Sequence, residues 1–193
     1  REIVNAVQGR VMAGTDDLTV DAVTIDSRQV PPGALFVAIK GERFDGHDFI
    51  GDALRKGAAA VVVHEERPVE GRATVIRVED TLTALGDIAA YYRSRFAVPV
   101  VGITGSNGKT TIKDLLASVL EQQLSVVKTE GNYNNEIGLP LTLFKLSRDT
   151  EAAVVEMGMR GLGQIRRLAQ IARPTVGIVS NVGLTHLELL GSQ

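Results

Sequence analysis

The 193-residue chain contains no cysteine, so disulfide frameworks and thiolate-bound metal sites are excluded. Its 21 basic residues do not exceed its 23 acidic ones, and the net charge of −2 gives no sign of nucleic-acid binding. No apolar run approaches the roughly 18 residues of a membrane span, and no basic-then-apolar signal segment opens the chain. We therefore predict a soluble, cytoplasmic protein that binds no nucleic acid and does not insert into a membrane.

Hydrophobic residues make up 44% of the chain, enough for a substantial core. In the first half, short apolar runs between turn signals predict four strands, at Ala22–Ile25, Ala34–Ile39, Ala59–His64 and Thr74–Val78. Asp48 is predicted to cap a helix that runs to Lys56. A helix over Thr81–Phe96 follows a domain junction predicted at Glu79-Asp80, which divides the chain into domains 1–79 and 80–193.

The second half alternates continuous apolar runs with helical periodicity. The predicted strands are Val98–Ile103, Ser125–Lys128, Ala152–Val155 and Thr175–Val179, with helices between Ile112 and Leu120 and over Gly163–Ala172. Continuous apolar runs are typical of parallel strands that are buried on both faces. We therefore predict an α/β protein, in which a mixed α/β domain precedes a doubly wound, mostly parallel sheet.

A glycine-rich loop, TGSNGKTT, follows the first of these strands and precedes a helix. Its candidate phosphate-binding residues are Gly105, Ser106, Asn107, Gly108, Lys109, Thr110 and Thr111. Glycines let backbone N–H groups crowd around phosphate oxygens, Lys109 adds a charge, and the Thr110 hydroxyl suits Mg²⁺. The usual P-loop pattern would place glycine where Ile103 stands, so a glycine turn with an incidental lysine is the alternative.

Polar side chains also follow three other predicted strands, and ligands of open α/β sheets bind at the carboxyl ends of strands. These side chains are the amides of Asn132, Asn134 and Asn135, the carboxylate of Glu156 and the imidazole of His186. A carboxylate directly after a strand can bind Mg²⁺. The alternatives are an ordinary Asn/Gly turn, a solvated strand end and a structural histidine.

With these motifs the chain resembles the Mur ligases of bacterial cell-wall synthesis, and most of all the F type of that family. TGSNGKTT resembles the family's ATP loop, and GNYNNEIGLPLTL (131–143) is similar to the F-type second loop. VVEMGMRGLGQI (154–165) and SNVGLTHLELLGS (180–192) continue the match. TIDSRQVPPGALFVAIKGERFDGHDFI (24–50) is similar to the family's uridine-nucleotide domain. The resemblance implies a uridine-nucleotide domain followed by an ATP-binding central domain.

The resemblance also implies roles for particular residues. Lys109 and the loop amides would hold ATP, Thr110 and Glu156 one Mg²⁺, and His186 a second Mg²⁺; Lys109, Glu156 and His186 would be catalytic. Asn135 and its neighbours would lie near the γ-phosphate and the peptide substrate. The implied contacts to the UDP-sugar are Asp26, Ser27, Arg28, Gly46 and His47.

The implied reaction adds D-alanyl-D-alanine to UDP-N-acetylmuramoyl-tripeptide through an acyl phosphate, at the expense of ATP, by a monomeric enzyme. A family lysine that is often carbamoylated and a third domain would follow Gln193, so we expect residues 1–193 alone not to ligate. The alternatives are an E-type ligase, a P-loop NTPase and a non-catalytic nucleotide-sugar binding module. The sequence lacks the N-K-x-D signature that is usual in GTPases.

Overall fold

The computed structural model describes residues 1–65, 67 and 73–183. The chain forms two compact units, 1–88 and 89–193. The predicted junction at Glu79-Asp80 precedes a helix, whereas the division between the units falls inside that helix. None of the helices in the described part of the chain has both the length and the hydropathy to span a bilayer.

The first unit is built on a five-stranded sheet. Its elements are α1 (Glu2–Ala6), β1 (Arg10–Ala13), β2 (Val23–Thr24), β3 (Leu35–Val37), a 3-10 helix (Gly46–Phe49), α2 (Ile50–Arg55), β4 (Ala60–Val63), β5 (Thr74–Arg77) and the start of α3 (Thr81–Arg93). The strand order is β1-β5-β4-β3-β2, with β1 antiparallel to β5 and the other pairs parallel. The four predicted strands of this half are present, each somewhat shorter than predicted.

Burial on both faces explains the continuous apolar run of β4. Val61 and Val63 pack with Phe36 and α2 in one cluster, while Val62, which points the opposite way, is also fully buried. Successive strand residues alternate between faces, so a strand enclosed on both sides needs an apolar residue at every position. The mixed α/β domain predicted for this half is therefore confirmed.

The predicted helix cap at Asp48 is wrong. Asp45 is the capping residue instead, because its Oδ1 accepts from the backbone N–H of His47 at 2.9 Å and starts the 3-10 helix. That helix leads directly into α2, so α2 begins without a side-chain cap of its own. The Asp48 carboxylate instead accepts from the Arg67 guanidinium at 2.6 Å.

The second unit carries an entirely parallel four-stranded sheet. Beyond α3 its elements are β6 (Val100–Thr104), α4 (Lys109–Leu120), β7 (Val126–Lys128), α5 (Gly138–Leu143), β8 (Ala152–Glu156), α6 (Gln164–Ala172) and β9 (Val176–Val179). The strand order is β7-β8-β6-β9. From β6 the chain crosses to the edge strand β7, returns to β8 beside β6, and then crosses to β9 on the other side of β6. The predicted doubly wound sheet is confirmed.

Helices cover both faces of this sheet. On one face Ala117 of α4 packs against Ile103 and Val154. On the other face α5 and α6 pack against Ala153 and Val155. Because side chains alternate along a strand, Glu156 at the end of β8 lies on the same side as Val154, facing α4.

A buried arginine joins distant parts of this second unit. Arg93, at the end of α3, is 6% exposed, and its Nε donates to the Ala172 carbonyl at 3.0 Å. Its Nη1 and Nη2 donate to the carbonyls of Phe96 and Val98 at 2.6 and 3.0 Å. Burial lowers the pKa of the guanidinium, and the nearby Arg173 lowers it further. Arg93 therefore satisfies carbonyl groups at the ends of both α3 and α6.

Candidate functional site

The glycine-rich loop joins β6 to α4 at the carboxyl edge of the sheet. Gly105 has φ 133° and Gly108 has φ 78°, conformations that favour glycine. A Cβ at Gly105 would also overlap the hydroxyl of Ser180. Gly108 immediately precedes α4, so the free N–H groups of the first helical turn face the loop. This backbone can bind a phosphate group.

Lys109 adds a positive charge to the same loop. Its Nζ donates to the carbonyl oxygens of Gly105 and Ser106 at 2.6 and 3.2 Å. The ammonium is thus held over the loop by its own backbone, beside the amino end of α4. Helix dipole and ammonium together make the loop an attractive site for a polyphosphate.

The segment that follows β9 holds the loop in place. The carbonyl oxygen and Oδ1 of Asn181 accept from the N–H groups of Ser106 and Asn107 at 3.1 and 2.9 Å. Ser180 Oγ donates to the Asn107 carbonyl at 2.6 Å, and Gly183 N donates to Ser106 Oγ at 2.8 Å. Asn181 is not among the site residues predicted from the sequence, although its place directly after a strand next to β6 could have indicated it. His186, predicted in the same segment, lies outside the described residues.

The predicted meeting of strand ends is observed around Glu156, which is 2% exposed. Thr110 Oγ1, from the first turn of α4, donates to Glu156 Oε2 at 2.8 Å. Asn134 Nδ2, from the loop after β7, donates to Glu156 Oε1 at 2.7 Å. The side chains that follow β6, β7 and β8 thus converge on one carboxylate, beside the glycine-rich loop.

The donor set around Glu156 fits a magnesium ion. Thr110 Oγ1 and Glu156 Oε2 are hard oxygen ligands from facing elements, and Thr110 is exposed to solvent. No group of three or more histidine or acidic side chains within the described ranges could hold a metal alone. That composition suits Mg²⁺, which commonly takes one or two protein ligands together with substrate phosphates and water.

The three asparagines of the second loop have different surroundings. Only Asn134 is seen to contact Glu156 among the described hydrogen bonds of these side chains, and its carbonyl accepts from Gly158 N at 2.7 Å. Asn135 Oδ1 accepts from Ile137 N and Gly138 N at 3.1 and 2.8 Å, which shapes the start of α5. The Asn132 carbonyl accepts from Asn134 N at 2.8 Å. Their contacts to substrate remain predictions.

In the first unit, Asp26 and Arg28 form a two-pronged ion pair. Arg28 Nη2 and Nε donate to Asp26 Oδ2 and Oδ1 at 2.7 and 2.9 Å. The Arg28 side-chain hydrogen bonds, followed by its backbone N–H, lower the pKa of Asp26 to about 2. The Ser27 carbonyl between them accepts from Lys56 Nζ at 2.7 Å. This turn presents charged, exposed groups, and its role in binding the UDP-sugar remains a prediction.

His47 has partners inside the domain on both ring nitrogens. Its side chain is fully buried, with Nδ1 at 2.6 Å from Asp45 Oδ1 and Nε2 accepting from His64 N at 3.2 Å. Nδ1 therefore carries the ring hydrogen, and this N–H donates a hydrogen bond to Asp45 Oδ1. Gly46 lies so close to the Ile39 backbone that a Cβ would not fit. The observed contacts of both residues are structural, and their substrate contacts remain predictions.

Two sequence profiles of one family match the chain. Residues 19–93 match "Mur ligase family, catalytic domain" and residues 103–193 match "Mur ligase middle domain". A UDP-N-acetylmuramoyl-tripeptide–D-alanyl-D-alanine ligase of Synechocystis is 52% identical over 93% of this chain and 40% of its own length. The ligase of the same name from Bacillus subtilis is 43% identical over 100% of this chain and 43% of its own length.

Solved structures give the same result. MurF from Acinetobacter baumannii matches with a TM-score of 0.88 and 36% identity, over 96% of this chain and 41% of that one. MurF from Thermotoga maritima, determined in complex with ADP, matches with a TM-score of 0.80 and 41% identity, over 90% of this chain and 40% of that one. The chain thus spans about 40% of the length of these relatives, and the resemblance to the F type is confirmed. The chain belongs to the Mur ligase family.

Proposed function

We propose that this chain supplies the UDP-substrate and ATP sites of an ATP-dependent amide ligase. The enzyme adds D-alanyl-D-alanine to UDP-N-acetylmuramoyl-tripeptide, a step of peptidoglycan precursor synthesis in the cytoplasm. The observation that carries the proposal is the convergence of Thr110, Asn134 and Glu156 beside Lys109 in a chain whose relatives bear this ligase's name.

The chemistry explains why such a site needs fixed positive charge. A carboxylate is a poor electrophile, because its oxygen is a poor leaving group. Transfer of the γ-phosphoryl group of ATP to the peptide carboxylate would release ADP and make an acyl phosphate. Attack by the amine on its carbonyl carbon would then give the amide and release phosphate and a proton. Two anions must first be brought together, and Lys109 together with the loop amides would lower their repulsion.

Thr110 and Glu156 would hold Mg²⁺, which supplies further charge neutralisation when bound. Asn134 keeps the Glu156 carboxylate oriented through its 2.7 Å hydrogen bond. His186 would serve a second Mg²⁺, as the family resemblance implies. In the first unit, the exposed turn with Asp26, Ser27 and Arg28 would contact the UDP-sugar.

The test is a phosphate-release assay on the full-length protein that contains this chain. We expect release from ATP to require both UDP-N-acetylmuramoyl-tripeptide and D-alanyl-D-alanine, with one amide formed per phosphate. Phosphate release that needs neither substrate would support an ordinary NTPase and overturn the proposal. Ligation of a single amino acid to a UDP-muramoyl-dipeptide, in place of the dipeptide addition, would indicate an E-type ligase.

A further inference from the structure

A lysine that the proposed reaction does not use is buried behind the Thr110–Glu156 pair. Lys113 lies one turn after Thr110 on α4 and is 4% exposed. Its Nζ donates to the Thr129 carbonyl at 3.0 Å and lies 3.0 Å from Asp114 Oδ1, whose side chain is 56% exposed. Burying an ammonium is unfavourable unless it is well paired, so the Thr129 carbonyl is an important partner.

Thr129 marks the point where the β7–β8 ladder becomes irregular. Lys128 pairs with Val154, and Thr129 N continues the ladder by donating to the Val154 carbonyl at 3.1 Å. In a regular parallel pair the next hydrogen bond would run from Glu156 N to the Thr129 carbonyl. Instead Glu156 N donates to Thr129 Oγ1 at 3.0 Å. The hydroxyl thus replaces the carbonyl, and the carbonyl is left for Lys113.

These contacts close a circuit of four residues. Lys113 binds Thr129, Thr129 binds the backbone of Glu156, and the Glu156 carboxylate binds Thr110, which lies on the same helix face as Lys113. Thr129 is fully buried and Glu156 nearly so. The circuit therefore fixes the distance between α4 and the end of β8 at the place where Thr110 and Glu156 face each other.

We propose that Lys113 is a positioning residue for the Thr110–Glu156 metal-binding pair, acting through Thr129. This inference rests on the proposed function, because it assigns Mg²⁺ to that pair. Without the ammonium, the Thr129 carbonyl is free to turn back to Glu156 N and extend the regular ladder by one bond. That shift moves the backbone of Glu156 and the start of the loop that carries Asn134, so the metal ligands lose their alignment.

The test measures metal binding directly in the full-length protein. Mn²⁺ is titrated by electron paramagnetic resonance in the presence of ADP, for the wild type and for Lys113→Met. We expect the Kd for Mn²⁺ to rise about 10-fold or more, the range found when an outer-shell partner of a metal ligand is lost. The Mg²⁺ concentration for half-maximal ligation should rise in parallel, while the KM for the UDP-substrate stays unchanged.

Lys128→Met is the matched control, because Lys128 precedes Thr129 but pairs with Glu121 at the surface. It should leave Mn²⁺ binding unchanged. A wild-type Kd for Mn²⁺ in Lys113→Met overturns the inference. If the wild-type protein does not ligate but Lys113→Met still binds Mn²⁺ more weakly than the wild type, the positioning role is supported and only the proposed reaction is rejected.

A second pair of variants tests the link through Thr129 and remains informative if Lys113→Met does not fold. Thr129→Ser keeps the hydroxyl and should bind Mn²⁺ as the wild type does, whereas Thr129→Val removes it and should weaken binding. The effects of Lys113→Met and Thr129→Val should be less than multiplicative in the double variant, since both break one circuit. Equal Mn²⁺ binding by the serine and valine variants contradicts the mechanism.

Discussion

Among the side chains of the proposed site, phosphoryl transfer should depend most on Lys109, because of its ammonium charge. We predict that Lys109→Ala lowers turnover of the full-length enzyme by about 10²-fold or more, as loss of a preorganised charge does. The measurement is the steady-state rate of phosphate release with both substrates. Lys145→Ala is the control, since Lys145 is surface-exposed and pairs with Glu130. Near-normal ligation by Lys109→Ala would refute the assigned role.

At position 181, a substitution that adds negative charge but keeps the shape of the side chain should still weaken nucleotide binding. Its Oδ1 accepts from Asn107 N, so aspartate at this position can keep the hydrogen bond while adding a negative charge beside the glycine-rich loop. We predict that Asn181→Asp weakens binding of Mg-ADP about 10-fold, because like charges repel at close range, and that high salt reduces the loss. Calorimetric titration measures both. Equal affinities of the wild type and Asn181→Asp for Mg-ADP would contradict the prediction.

The Asp26 carboxyl, paired with Arg28, should titrate at unusually low pH. The pKa of Asp26 is lowered from 3.8 to about 2, so the stabilisation it provides is complete above pH 3.8 and is lost as the pH falls through about 2. Arg28→Gln removes the side-chain hydrogen bonds, the largest cause of the lowered pKa, but keeps the backbone N–H of residue 28. We therefore expect the Asp26 titration to move up toward 3.8 without reaching it. A carboxyl carbon NMR titration checks this, and an unchanged midpoint would be the contrary result.

Several site residues could be predicted from sequence, and the reason lies in chain geometry. Thr110 and Glu156 both end or follow apolar strands, and parallel strands end at one sheet edge, so their meeting follows from the pattern. Lys113 and Thr129 could not be predicted in this way. A lysine on a helix ordinarily faces solvent, and its burial depends on the irregular ladder at Thr129, which only the three-dimensional pairing reveals.

Among the helices and strands, those with an unbroken local signal were predicted and those that depend on distant partners were missed. β4 and β8 are continuous apolar runs. β1 was missed because its pairing with β5 joins residues more than 60 positions apart in sequence. α5 was missed because Gly138 and Pro140 disfavour a helix, yet Leu139 and Leu143 are fully buried, so packing outweighs propensity there.

The ends of α3 and α6 depend on a single guanidinium. Arg93→Met would leave the carbonyls of Ala172, Phe96 and Val98 without their donor in a buried place. We predict a loss of about 3 kcal/mol in the free energy of unfolding, within the range for unsatisfied buried groups. Urea denaturation measures it, with the exposed Arg148→Met as control. A loss no larger than that of the control would show that water replaces the guanidinium without cost.

The whole chain, at about 40% of the length of its relatives, should bind nucleotide without completing the reaction. The glycine-rich loop and the Thr110–Glu156 pair, which we propose bind nucleotide and Mg²⁺, both lie within residues 1–193, so we expect Mg-ADP to bind. The family resemblance implies a further domain that would close over ATP and contribute contacts to the amine. We therefore predict no ligation product from residues 1–193 with ATP and both substrates. Product detected by mass spectrometry would contradict this.

The position of Arg93 has a consequence for biosynthesis. Its partner at Ala172 is 79 residues further along the chain, so the ribosome must make and release that length before the guanidinium can be enclosed. Until then the C-terminal end of α3 keeps its charge in water and the apolar face beside it stays uncovered. The second unit therefore cannot complete its fold until most of its own residues have left the ribosome.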